Sequence, residues 1–75
     1  MEFYRNTHGN SGVSAFEVGN DFIIVRFAKG GMYLYNYSKT GFYHVNNMIR
    51  LARTGNGLNG YINLNAKHSY ARKIA

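Results

Sequence analysis

Residues 21–37, DFIIVRFAKGGMYLYNY, decide the fold of this chain. Asp21 to Ala28 is rich in β-branched and aromatic residues, Lys29-Gly30-Gly31 is a turn signal, and Met32 to Tyr37 alternates as a second strand. Two such runs around a Gly-containing turn read as a β-hairpin. Upstream, Val13 to Val18 alternates in the same way and ends at Gly19-Asn20, a tight-turn signal. The three runs form a three-stranded antiparallel meander.

Turn length sets the register. A two-residue turn at Gly19-Asn20 pairs Val18 with Asp21, then Phe16 with Ile23 and Ser14 with Val25. One face then carries Phe16, Val18, Ile23, Val25 and Phe27, and the other Ala15, Glu17, Phe22, Ile24 and Arg26. The second turn decides where the tyrosines go. A two-residue loop puts Met32 and Leu34 on the core face and stands Tyr33, Tyr35 and Tyr37 beside Ile24 and Arg26. A three-residue loop moves every side chain to the opposite face and sends the three tyrosines into the core. Met32 and Leu34 suit a dry core better than phenols that need partners, so the two-residue loop is the expected one.

Downstream, Phe42, Val45, Met48, Ile49 and Ala52 recur at helical spacing and predict an amphipathic helix on one face of the sheet. Ser38 or Thr40 can cap its start, and Gly55 fits the left-handed position that ends it. Tyr43, Asn46, Asn47, Arg50 and Arg53 occupy the opposite face. Leu58, Tyr61, Ile62 and Ala66 share a face in a short second helix, which Leu64 does not fit. The expected class is therefore α+β. Residues 1–12 form a polar, Gly-rich arm that can add an edge strand through Phe3 and Tyr4. A single domain spans 13–70, and 71–75 is a basic tail.

The charge is one-sided. Asp21 is the last acidic residue, and eight Lys or Arg follow it, so the net charge of +6 splits into −2 and +8. A field of one sign attracts polyanions. Six of the seven Tyr and three of the five Phe lie among those cations; rings stack bases and cations neutralise phosphates. The chain holds no Cys, which excludes disulfides and thiolate metal sites. Three dispersed histidines do not suggest zinc. The N-terminus lacks the apolar core of a signal peptide, and no apolar run is long enough to span a bilayer. The chain reads as soluble and cytoplasmic, with no membrane partner.

The Val25-Arg26-Phe27 strand, the Gly-containing turn and Tyr33-Leu34-Tyr35 resemble the centre of the KTSC domain. That short domain is named for the C-terminus of some lysyl-tRNA synthetases and also occurs as small stand-alone bacterial proteins. Its later features correspond to the helix at 45–52, to Gly55-Asn56-Gly57-Leu58-Asn59 and to Tyr70. The similarity runs from about Ser14 to Tyr70. It implies the α+β fold and favours RNA as a partner; it supplies no catalytic residue.

Several residues can carry function. Tyr33, Tyr35 and Tyr37, with Arg26, would form a stacking surface for unpaired bases. The plainer reading has the C-terminal segment fold over this face and bury the rings under Leu58, Ile62 and Leu64. A partly covered face satisfies both. Arg50 and Arg53, three apart near the helix end, can clamp phosphates or simply offset the helix dipole. Gly55-Asn56-Gly57 lacks the Lys-Ser/Thr of a phosphate loop and reads as a helix stop. Lys67, Arg72 and Lys73, with His68 and Tyr70, form a basic end that reads equally as a segment ordering on nucleic acid or as a soluble, frayed terminus. His44 and His68, with Arg50 or Lys67, are the only set resembling a metal-independent ribonuclease.

The expected function is non-catalytic binding of RNA or single-stranded DNA, without cofactor or metal, through Tyr33, Tyr35, Tyr37, Arg26, Arg50, Arg53 and Lys67. The alternative is a protein-interaction module, an adaptor, regulator or phage-encoded inhibitor, using the same surface on an acidic protein. Monomer and homodimer stay open, because self-association through the tyrosine row would occupy it.

Overall fold

A computed structural model describes residues 1–6 and 12–75. The element order is β1 (Glu2–Phe3), β2 (Val13–Val18), β3 (Phe22–Phe27), β4 (Gly31–Asn36), α1 (Phe42–Thr54), α2 (Leu58–Asn65) and β5 (Arg72–Lys73). The class is α+β, as expected. The sheet has five strands in the order β1-β2-β3-β4-β5, every neighbouring pair antiparallel. The central meander is the one read from the sequence, and each terminus adds a short strand to one edge.

Those edges revise the expected arm and tail. Glu2 pairs with Phe16 and Phe3 with Ala15, so the edge-strand alternative holds. Tyr4 is buried, and its hydroxyl accepts a hydrogen bond from the Leu58 N–H at 3.2 Å. Residues 7–11 of the expected arm lie outside the described residues. At the other end Arg72 pairs with Leu34 and Lys73 with Tyr33. The basic end is thus a strand rather than a loose tail.

The first hairpin is longer than expected. Val18 pairs with Ile23, not Asp21, and the Gly19 N–H donates to the Phe22 carbonyl at 3.0 Å. The slip is two residues, which preserves parity. Phe16, Val18, Ile23, Val25 and Phe27 therefore stay on the core face. Near its start β2 carries an irregularity between Val13 and Ala15; it turns Val13 into the core as well.

The second hairpin overturns the expected register. Phe27 pairs with Gly31, leaving Ala28-Lys29-Gly30 as a three-residue loop. Val25 then pairs with Tyr33 and Ile23 with Tyr35. Tyr33, Tyr35 and Tyr37 face the core, while Met32 and Leu34 lie on the far face. The cause is Gly31, at φ 88°. Gly31 follows the loop and opens β4 opposite Phe27, and glycine takes a positive φ at least cost. The phenols tolerate the core face because each reaches a polar partner or an opening. Tyr37 donates to Asn46 Oδ1 at 3.3 Å, and Tyr33 and Tyr35 reach a cleft described below.

Both helices cover the core face. Val45, Met48 and Ala52 of α1 and Leu58 and Ile62 of α2 pack with Phe16, Ile23, Val25 and Tyr35. Phe42, expected on the apolar stripe, is largely exposed and makes a T-shaped contact with Tyr37, with ring centroids 4.9 Å apart. Neither Ser38 nor Thr40 caps α1: the cap position is Gly41, with no side-chain bond. Buried Thr40 instead donates its hydroxyl to the Ser69 carbonyl at 2.6 Å. Gly55 ends α1 in the left-handed conformation, φ 77°, as expected. The second helix forms with Leu58, Ile62 and Ala66 buried and Leu64 87% exposed, which matches its face pattern.

Candidate nucleic-acid interface

The three-residue turn brings the tyrosine row against the C-terminal half of the chain. A cleft of about 700 Å³ opens between the β3–β4 turn and α2 with the segment after it. Phe27, Tyr33 and Tyr35 form its sheet wall, Asn59, Ile62 and Asn63 its helix wall, and Lys67, His68 and Tyr70 its C-terminal wall. Lys29 reaches it from the turn.

The aromatic wall is continuous. Phe27 and Tyr33 meet edge to face at 5.8 Å between centroids, and Tyr33 and Tyr70 at 4.8 Å. Lys73 places its ammonium 5.8 Å from the centroid of Tyr33, within the range of a cation–π contact. Asn59 and Asn63, one helical turn apart, set two amides beside the rings, each with donors and acceptors.

The cleft is cationic. Lys29 and Lys67 line it, Lys73 is adjacent, and among the described residues no Asp or Glu side chain lines it. Tyr35 is 2% exposed, and burial, followed by the neighbouring Tyr33 and Tyr70, pushes its phenol up to about 12. It therefore stays neutral at any physiological pH and remains a donor. Among the described residues no buried side-chain polar atom lacks a partner.

The seven residues expected to bind nucleic acid do not form one surface. Tyr33, Tyr35 and Lys67 line the cleft. Tyr37 is engaged with Asn46 and Phe42. Arg26 pairs with Ala15 and Met32 on the opposite sheet face, so the expected Arg26–tyrosine surface does not exist. Arg50 and Arg53 are exposed on α1, away from the cleft lining. Arg50 donates to Asn47 Oδ1 at 3.4 Å. Asn47 in turn donates to the Tyr61 hydroxyl at 3.2 Å, which lies 2.6 Å from His44 Nδ1. That chain ties α1 to α2. The two histidines of the ribonuclease-like set are separated, with His68 lining the cleft and His44 in the Tyr61 contact.

Lys29, Asn59 and Asn63 were not legible as site residues. Their convergence depends on the three-residue loop, and the signal for it was Gly31. Among the described residues no group of three His, Cys, Asp or Glu can hold a metal, and no helix is long and apolar enough to cross a membrane. Comparison of the chain with protein-family models, with curated proteins and with solved structures finds no match.

Proposed function

We propose that the protein is a non-catalytic binder of single-stranded RNA or DNA, and that the cleft is where it holds the strand. The observation that carries this reading is a cleft walled by Phe27, Tyr33 and Tyr70 and bordered by Lys29, Lys67 and Lys73, with no Asp or Glu among its described lining residues. A base entering it meets ring edges and faces and two side-chain amides, while its phosphates meet ammonium groups. Base–aromatic contacts of this kind contribute roughly 1–3 kcal/mol each. The KTSC-like reading belongs to the same proposal. Its Tyr-x-Tyr pair, Tyr33 and Tyr35, and its late Tyr70 are far apart in sequence yet line one cleft, which is what a shared binding motif requires. The competing partner, an acidic protein, is supported by exposed Tyr43, Arg50 and Arg53 on α1, with which Tyr33 and Tyr35 of the cleft do not share a surface.

Fluorescence anisotropy with a labelled, mixed-sequence single-stranded RNA tests this. Lys29→Glu and Lys67→Glu should each weaken binding, and Lys67→Ala should lower the salt slope by about one phosphate contact. Arg26→Glu, on the opposite face, should change affinity little beyond its effect on net charge. Equal losses for Arg26→Glu and Lys67→Glu would place binding elsewhere.

A further inference from the structure

We infer that the uncovered face of the sheet is the seam of a homodimer, occupied by a second copy of this chain about a two-fold axis parallel to the strands. This goes beyond the nucleic-acid reading and does not depend on it. Both helices lie on the core face, and none of Phe3, Phe22, Ile24, Met32 or Leu34 belongs to the core cluster. No described helix packs over them. Phe3 is 88% exposed. Exposed Phe3 and half-buried Phe22, Ile24, Met32 and Leu34 share this face, about 19 Å from edge to edge, and neighbouring apolar side chains of this kind mark an interaction surface.

The occupant follows from one row of this face. Across β2, β3, β4 and β5 the paired residues are Glu17, Ile24, Leu34 and Arg72. The row is acidic at one end, apolar in the middle and basic at the other. A two-fold axis between β3 and β4 lays β2 of one copy over β5 of its partner. Glu17 then meets Arg72 twice, and Ile24 and Leu34 stack on each other at the centre. A two-fold interface must be self-complementary, and this row is. Neighbouring strands stay nearly aligned, as in face-to-face sheet packing. Of three acids in the chain, Glu17 is the one on this face, where it offsets one of the two cations there, Arg26 and Arg72. A basic or acidic partner of another kind would not match both ends of the row. In the dimer the two clefts face outward on opposite sides.

Sedimentation equilibrium across a concentration series tests the seam. The wild type should show a monomer–dimer equilibrium. Glu17→Arg and Arg72→Glu should each weaken the dimer by about tenfold, because each creates two like-charge meetings. The double exchange Glu17→Arg with Arg72→Glu should restore it, a rescue that only mutual pairing of the two positions produces. Leu34→Glu should give a monomer with a folded amide fingerprint; if it does not fold, the exposed charge exchanges still decide. A wild type that stays monomeric at every concentration overturns the inference, including when another protein is found on the face. So does a dimer indifferent to the single changes, or one the double exchange does not restore.

Discussion

Tyr35 shows how a single buried phenol makes stability depend on pH. Its folded value of about 12 stands above the ordinary 10, so the folded state holds the proton more tightly than the unfolded chain. The resulting stability is fully present below pH 10 and is lost as pH rises through 12. The loss should reach about 2 kcal/mol, reduced by screening at the open side of the cleft. Urea unfolding at stepped pH should show this decline in the wild type and a shallower one in Tyr35→Phe. Thr40 makes a second residue-scale case. Its hydroxyl bonds the Ser69 carbonyl at 2.6 Å and fastens the segment before α1 to the segment after α2. Thr40→Val keeps the shape and removes the donor, which should cost about 1–2 kcal/mol. A chain of this size should then melt roughly 4–8 °C lower per kcal/mol.

At the scale of elements, two glycines in the helical half should respond in opposite directions. Gly55 ends α1 with φ 77°, and a Cβ there would run into the Arg5 side chain. Gly55→Ala should therefore destabilise by about 1–2 kcal/mol. Gly60 lies within α2 with nothing near its added methyl, so Gly60→Ala should stabilise by about 0.5–1 kcal/mol. Chemical denaturation of the two variants checks both signs. The same elements show what was legible in the sequence. The meander, α1 with its glycine stop, and α2 with Leu64 outside its apolar face follow from periodicity. Two things did not. The C-terminal edge strand, Arg72–Lys73, is two residues long, too short to carry a pattern. The tyrosine face depended on one residue of loop length, where a preference for dry side chains was weighed against a left-handed glycine and the glycine won. Because parity in a strand is all or nothing, that one residue moved three tyrosines from an expected open surface to a cleft wall.

Across the whole molecule the two sheet faces divide the chemistry. The covered face ends in a cationic, aromatic cleft, and the open face carries a row of opposite charges around an apolar centre. Most of the cations that suggested a polyanion partner were legible from composition, but their grouping was not. Arg26 and Arg72 belong to the open face, Arg50 and Arg53 to α1, and Lys29 and Lys67 to the cleft. The proposal that nucleic acid enters the cleft makes a spatial claim, so the most direct measurement is an amide-shift NMR titration with a short mixed-sequence single-stranded RNA at low and physiological salt. The account predicts shifts gathered on Lys29, Tyr33, Asn59, Asn63, Lys67 and Tyr70, weakened but retained at the higher salt. Shifts centred on Arg26 and Leu34, shifts confined to Arg50 and Arg53, or none at either salt would contradict it.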